Sequence, residues 1–98
     1  MKRPAVSESA TLQSDPEVLV TEFGDEVVLL NLRDGVYYGL EDVGARIWTM
    51  LRQPVTIQTL CEAIVSEFDV AHDRCERDVR AIVSDLLENG LIQMRGGR

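Results

Sequence analysis

Two short apolar runs, residues 26–32 and residues 36–40, lie on either side of Arg33-Asp34-Gly35. An Asp-Gly pair between such runs is a strong signal for a β-hairpin, because both residues tolerate the backbone angles of a tight turn. The second run passes directly into a helical pattern, so in a small sheet we expect an edge strand with unpaired backbone N–H and C=O groups. An edge of this kind can accept a strand from another chain.

The residues before the hairpin predict one more strand and an arm. Residues 17–23 are rich in β-branched and aromatic residues, and Gly24-Asp25 supplies a turn into the hairpin. Three strands joined by tight turns predict an antiparallel meander. Residues 1–15 are polar and show no sustained periodicity, so we expect a flexible N-terminal arm.

Helical periodicity follows the hairpin. A short first helix is predicted to begin at Glu41 or Asp42 and to end before Pro54, and a second helix is predicted to begin with Thr56 as its N-cap. The apolar stripes of these helices are Val43, Ile47, Trp48 and Leu51 in the first, and Ile57, Leu60, Cys61, Ile64, Val65 and Phe68 in the second.

A third helix is predicted to begin between Ala71 and Asp73, where Asp73 and Glu76 match a capping box, and to end at Gly90. Its apolar stripe consists of Cys75, Val79, Ile82, Val83, Leu86 and Leu87. Residues 91–94 resume an apolar pattern, which predicts either packing on the core or a short strand. Residues 95–98 are expected to fray.

The order of three strands followed by three helices predicts an α+β fold, with a three-stranded antiparallel sheet covered by helices on one face. A chain of 98 residues is one domain by size, and we place that domain at residues 16–94. The compact packing that we expect is a winged helix-turn-helix, in which the third helix lies across the sheet near the third strand.

The charge of the chain disfavours nucleic acid as a partner. Ten Lys and Arg residues stand against 17 Asp and Glu residues, which gives a net charge of −7. The third helix, which would contact DNA in a winged helix-turn-helix protein, carries three Arg residues against five acidic ones between His72 and Asn89. No apolar run approaches the roughly 18 to 20 residues that cross a bilayer, and no signal-peptide pattern is present, so we expect a cytoplasmic protein without a membrane partner.

The sequence holds no catalytic or metal-binding pattern. His72, the one histidine, stands at the expected start of the third helix without an obvious partner. Cys61 and Cys75 fall on apolar stripes and lack a C-x-x-C or Cys/His spacing, which predicts buried reduced thiols. We therefore expect a binding protein that is not an enzyme and that uses no cofactor or metal.

The candidate binding site combines the edge strand with the third helix. A handful of ladder hydrogen bonds at about 1 kcal/mol each supplies only about 4 to 5 kcal/mol, which corresponds to binding hardly better than millimolar. Side chains must supply the rest, from the edge strand, from the expected exposed margin of the third helix's stripe and from a polar rim. The predicted site residues are Val36, Tyr37, Tyr38, Gly39, Leu40, Arg74, Cys75, Asp78, Val79 and Ile82.

Ordinary core packing is the simpler interpretation for several of these residues. Val36, Tyr38 and Leu40 share one face by parity, and the first helix after Leu40 indicates that this face points inward. Tyr37 and Gly39 point the other way, and a glycine in an edge strand marks either a bend or a close backbone approach. Each helix residue, taken alone, also fits the core.

Residues 16–94 resemble the PqqD-like family, and in particular its small stand-alone members in lasso-peptide biosynthesis. The similarity is carried by the hairpin VLLNLRDGVYYGL at residues 28–40, by VGARIW at residues 43–48, and by CERDV and LLENGLI at residues 75–79 and 86–92. Each motif is weak alone, and their combination is fairly specific.

The resemblance implies a precursor-peptide recognition element, a non-catalytic module that binds the leader segment of a ribosomally made peptide. In such modules the leader adds as an antiparallel strand to the third strand and packs against the third helix. The resemblance also implies two protein partners, a cysteine leader peptidase and an ATP-dependent cyclase. The alternatives are a PqqD-like chaperone for a radical SAM peptide-modifying enzyme, a winged-helix DNA-binding regulator, and a structural subunit whose third strand pairs with its own copy.

Overall fold

The computed structural model describes residues 6–96 of the chain. The elements, in order, are β1 (Thr11–Ser14), β2 (Val18–Phe23), β3 (Glu26–Asn31), β4 (Val36–Glu41), α1 (Val43–Met50), α2 (Ile57–Glu67), α3 (His72–Glu88) and β5 (Ile92–Arg95). Among these residues, no helix is both long enough and apolar enough to span a membrane.

The hairpin and the strand before it form an antiparallel sheet in the order β2-β3-β4. Leu29 on β3 pairs with Val20 on β2 and with Tyr38 on β4, and Asn31 pairs with Val36 across the turn. Gly35 takes a positive φ of 73° in that turn, a conformation that glycine adopts without steric cost. The α+β class is confirmed, and so is the order of three antiparallel strands followed by three helices, which is consistent with a winged helix-turn-helix arrangement.

A second sheet of two strands joins the two ends of the chain. β1 pairs antiparallel with β5, with Thr11 opposite Arg95. Leu12 is fully buried, and its backbone N–H and C=O pair with Val55 at 2.7 and 2.9 Å. The N-terminal segment therefore differs from the expected flexible arm over residues 10–15, since this stretch is a core-packed strand and its flanks. Residues 1–5 of the expected arm lie outside the described residues.

The C-terminal segment follows the second of the two alternatives left open, a short strand. Arg95 belongs to β5, although it was expected to fray, because its backbone pairs with Thr11. Residues 97 and 98 of the expected frayed tail lie outside the described part of the chain.

The ends of α2 and α3 agree with the sequence, and only the capping contact predicted for α3 differs. The Thr56 side chain accepts a hydrogen bond from the Thr59 N–H at 3.2 Å, which confirms the predicted N-cap. α3 begins at His72 after Ala71, whose side chain cannot cap, and the predicted capping box is wrong. The Asp73 carboxylate accepts instead from the adjacent Arg74 N–H at 2.9 Å. Gly90, with a φ of 69°, follows α3 as predicted.

The core lies between the inner face of the three-stranded sheet and the helices. It combines residues from every helix, from β3, from both terminal strands and from the connections between elements: Leu12, Val27, Leu29, Ile47, Trp48, Leu51, Val55, Ile57, Leu60, Cys61, Ile64, Cys75, Val79, Val83, Leu86, Leu91 and Ile92. Cys61 and Cys75 are free and buried, as predicted. Burial is the main cause that raises the pKa of Cys61 to about 11 and that raises the pKa of Cys75, so both thiols stay protonated.

Candidate functional site

The free edge of β4 is the first component of the site. β4 has β3 on one side and no strand of the described chain on the other. Its inward side chains lie opposite the buried β3 residues, and Tyr38 and Leu40 pack partly buried against the core. Tyr37, on the opposite face, is 70% exposed. The predicted edge position and the predicted facing of these side chains are therefore both confirmed.

α3 lies beside this edge and is in side-chain contact with it. The Tyr38 hydroxyl donates a hydrogen bond to Asp85 Oδ2 at 3.4 Å. Ile82, one turn before Asp85 on α3, is half-buried and packs against the core. β4 and the C-terminal half of α3 thus form two walls that a strand added to β4 would meet.

Cys75 and Val79 do not line an exposed margin as the sequence suggested. Their exposed fractions are 1% and 0%, because this part of the α3 stripe faces α2. The Cys75 thiol donates to the Cys61 carbonyl at 3.8 Å. These two residues support the wall from within, and Ile82 is the predicted apolar helix residue that remains partly accessible.

The predicted polar rim, Arg74 and Asp78, is exposed near the start of α3. Arg74 Nε lies 3.7 Å from Asp78 Oδ2, an i,i+4 ion pair between side chains that are 74% and 60% exposed. Such an exposed pair contributes little to stability. Its two charges are available to a polar partner in the same region.

A polar network at the turn end of β4 was missed by the sequence analysis. The Asn31 side chain donates to the Asn89 carbonyl at 2.9 Å and accepts from the Arg33 N–H at 2.9 Å. Arg33 Nη2 donates to Asp15 Oδ2 at 2.9 Å and to the Gly90 carbonyl at 3.1 Å. No sequence signal could have found these contacts, because Asp15 and Gly90 lie 18 and 57 residues from Arg33.

Asp15 is the buried acid of this network. It accepts from the Glu17 N–H at 2.9 Å and from the Gln93 side chain at 3.2 Å. The hydrogen bond from the Glu17 N–H is the largest cause that lowers the pKa of Asp15, and Arg33 lowers it further against the opposing effect of burial. The carboxylate is therefore ionised, and both of its oxygens accept hydrogen bonds.

The outer face of the three-stranded sheet carries exposed apolar side chains. Leu19, Leu30 and Tyr37 form one row across β2, β3 and β4, and Phe23 lies further along the same face of β2. Leu19 is 54% exposed and Phe23 61% exposed. The row ends at Tyr37, beside the free edge of β4.

The described residues hold no group of His, Cys, Asp and Glu side chains that could bind a metal ion. The arrangement offers backbone hydrogen-bonding groups, an apolar wall and paired charges. These are the components of a surface that binds an extended peptide.

Comparisons with known proteins agree with this geometry. A family model described as Coenzyme PQQ synthesis protein D (PqqD) matches residues 26–92. The solved structure of TbiB1 in complex with the TbiA(beta) leader peptide is similar, with 34% sequence identity and a TM-score of 0.77, over 83% of this chain and 94% of that chain. A structure of lasso peptide synthetase B1 complexed with the leader peptide has 32% identity and a TM-score of 0.74, over 84% of this chain and 96% of that chain.

No curated protein matches the chain in sequence. The PqqD model nevertheless covers β3, β4, all three helices and the first residue of β5. The resemblance predicted from the hairpin and the helix motifs is confirmed, and the chain belongs to the PqqD family.

Proposed function

We propose that the chain binds the leader segment of a ribosomally synthesised precursor peptide by adding it as an antiparallel strand to β4. The observation that carries this proposal is the open edge of β4 beside α3, in a chain with the fold of two proteins that were each solved with a leader peptide. Binding is the whole activity, and the chain acts without catalysis, cofactor or metal, in the cytoplasm.

The peptide gains backbone hydrogen bonds from β4 and apolar contacts from the wall beside it. The backbone bonds alone give about 4 to 5 kcal/mol, so side chains must supply the remaining affinity. Val36 is 46% exposed on the inward face, and Tyr38, Leu40 and Ile82 are partly exposed. The inward side chains of the leader bury these four residues, and Arg74 and Asp78 contact its polar groups.

The chain presents the bound leader to a cysteine leader peptidase in lasso-peptide maturation. A strand added to β4 extends the sheet, so its outward side chains continue the exposed apolar row that ends at Tyr37. Leu19, Phe23 and Tyr37 make this outer face apolar, which is unusual for a surface that contacts only water. The peptidase then contacts the chain and the leader on one continuous face, and the ATP-dependent cyclase receives the product.

The direct test is a fluorescence anisotropy titration with a fluorescein-labelled leader peptide made from the precursor encoded beside this chain. We expect saturable binding at micromolar concentration or tighter. A peptide of the same composition in scrambled order is the control. Binding of both peptides alike, or no saturation below tens of micromolar, would contradict the proposal.

A matched pair of variants tests where the leader binds. Ile82→Ala truncates the accessible helix wall, and Val65→Ala truncates a similarly half-buried residue on α2. Both variants lose core contacts, but only Ile82→Ala is expected to weaken leader binding, by about tenfold for a contact worth about 1.4 kcal/mol. Equal affinities in the two variants would place the leader elsewhere.

The alternative function is peptide delivery to a radical SAM enzyme, which the PqqD family match also supports. The two functions differ in the protein that receives the bound leader. Pull-down of purified peptidase and of purified radical enzyme by the chain, each with and without leader, distinguishes them.

A further inference from the structure

A network of polar contacts fixes the turn end of the hairpin to the C-terminal end of α3. We name it the hairpin clamp, and it consists of the side chains of Asp15, Asn31 and Arg33 with the carbonyl groups of Asn89 and Gly90. Asn31 is 3% exposed and donates to the first of these carbonyls. Arg33 reaches the second carbonyl and the buried carboxylate of Asp15 with a single nitrogen, Nη2.

The clamp acts at one end of the free edge of β4. Asn31 is directly opposite Val36, the first residue of β4, and its carbonyl accepts the Gly35 N–H at 2.8 Å. The other end of β4 is held by α1, where a Cβ on Gly44 would lie only 3.0 Å from the Leu40 side chain. The clamp therefore sets the distance between β4 and α3 at the Val36 end, and α1 holds the Leu40 end.

We propose that Arg33 and Asn31 are positioning residues for leader binding, an inference that rests on the proposed function. A peptide paired with β4 contacts α3 only when the distance between β4 and α3 matches the length of the peptide's side chains. Neither residue belongs to β4 or α3, and neither needs to touch the peptide to act. Without the clamp, part of the binding free energy is spent on ordering the walls, which lowers affinity without removing any contact.

The inference distinguishes the two halves of the leader. In an antiparallel strand, the C-terminal half of the peptide lies beside Val36 and the N-terminal half beside Leu40. Loss of the clamp loosens only the Val36 end. It should therefore weaken the contribution of the C-terminal half and leave that of the N-terminal half unchanged.

The experiment compares Arg33→Ala with Arg46→Ala in the full chain. Arg46 donates to both carboxylate oxygens of Glu67 at 2.7 and 2.9 Å and joins α1 to α2. Arg33 pairs with Asp15 at 2.9 Å and, at the longer distance of 3.8 Å, with Glu17, so each variant removes one arginine together with the ion pairs by which it joins separate segments. Arg33→Lys, which keeps the charge and loses the planar donor group, serves as a second and milder variant. Circular dichroism and thermal unfolding are measured for all three.

The probes are the labelled leader of the precursor encoded beside this chain and a second leader with alanines at the inward positions of its C-terminal half. For the first leader, we expect Arg33→Ala to raise Kd by about fivefold. Residues that do not touch a ligand typically change its affinity by about two- to thirtyfold, so this value lies within the range. Arg46→Ala should change Kd by less than twofold. For the second leader, wild type and Arg33→Ala should bind equally.

Three outcomes overturn the inference. The first is an unchanged Kd in both Arg33 variants. The second is an equal loss of leader affinity in Arg33→Ala and Arg46→Ala, and the third is a loss of affinity in Arg33→Ala that is equal for both leaders. The second and third outcomes would indicate general destabilisation of the fold. A wild-type chain that fails to bind the first leader contradicts the proposed function itself. The two failures are therefore distinguishable.

Discussion

The Tyr38 hydroxyl donates to Asp85 Oδ2 at 3.4 Å, so a side chain of the free edge strand reaches the last turn of α3. This contact joins two residues that lie 47 positions apart in sequence. Tyr38 therefore has two separable parts, a ring that packs against the core and a hydroxyl that points to the helix.

Substitution of Tyr38 separates these two parts. Tyr38→Phe removes the contact to Asp85 and keeps the ring, so we expect a loss of about 0.5 to 1.5 kcal/mol in unfolding free energy and a change in leader Kd below threefold. Tyr38→Ala also removes the ring from the wall and should weaken leader binding by about tenfold, as for the loss of about 1.4 kcal/mol. Urea unfolding and anisotropy titration measure the two effects. A Phe variant that binds as weakly as the Ala variant would show that the hydroxyl is the part that matters.

A side chain at position 90, now Gly90, is predicted to destabilise the fold. Its φ is 69°, and a Cβ would stand 3.2 Å from the Asn31 side-chain nitrogen. Gly90→Ala therefore combines a left-handed backbone cost of about 1 to 2 kcal/mol with crowding of the hairpin clamp. Gly24, with a φ of 60° and open space at its Cβ, is the matched control. Chemical unfolding should show a larger loss for Gly90→Ala than for Gly24→Ala, and equal losses would mean that the crowding has no energetic effect.

One substitution at the start of α3 is predicted to raise the stability of the fold. Ala71 has the extended backbone of an N-cap, with φ −68° and ψ 145°, and its carbonyl accepts from the Cys75 N–H, but it has no side-chain oxygen to accept from the other N–H groups of the first turn. Ala71→Ser should raise the unfolding free energy by about 0.5 to 1 kcal/mol, and Thr56→Ala, which removes the existing N-cap of α2, should lower it by about 0.5 to 2 kcal/mol. Thermal unfolding of both variants measures the two signs. A destabilised Ala71→Ser would contradict this account of the helix start.

The buried carboxylate of Asp15 should make stability depend on acidic pH. The pKa of Asp15 is lowered in the folded chain below its ordinary value of 3.8, chiefly by the hydrogen bond from the Glu17 N–H and also by Arg33. The ionised form thus stabilises the fold above pH 3.8, and this stabilisation is lost as the pH falls through the lower folded pKa. Asp15→Asn should be less stable than wild type at pH 6, and the difference should shrink toward pH 2.5. Urea unfolding across this range measures the difference, and a constant difference would exclude titration of Asp15 as its cause.

The features that local sequence dictates were predictable. The hairpin followed from Asp34-Gly35 between apolar runs, and the stripe of α2 and its Thr56 cap followed from spacing within one helix. A stripe, however, defines only which residues share a helix face. It does not define which margin of that face a neighbouring helix covers, and for this reason Cys75 and Val79 were placed in the site although α2 buries them.

The features that depend on distant residues were missed for a different reason. Leu12 is the one large apolar residue in the four-residue strand β1, and the partner strand β5 lies about 80 residues further along the chain, so neither propensity nor periodicity indicates the pairing. The contact of Arg33 with Asp15 is likewise invisible in a sequence where exposed charges are common. The contact of Arg33 with Asp15 is also part of the hairpin clamp at the Val36 end of β4.

The pairing of Thr11 with Arg95 has a consequence for engineering. Since the first and last strands lie side by side, a short linker could connect them and new termini could be opened in an exposed turn, such as Gly24-Asp25, without cutting the edge of β4. A circular permutant of this kind would keep the free edge of β4 while changing the position from which a fused domain extends. Because β1 and β5 are adjacent, the domain could also be inserted into a loop of another protein. Both connections would then leave from the two-stranded sheet, to which β4 does not belong.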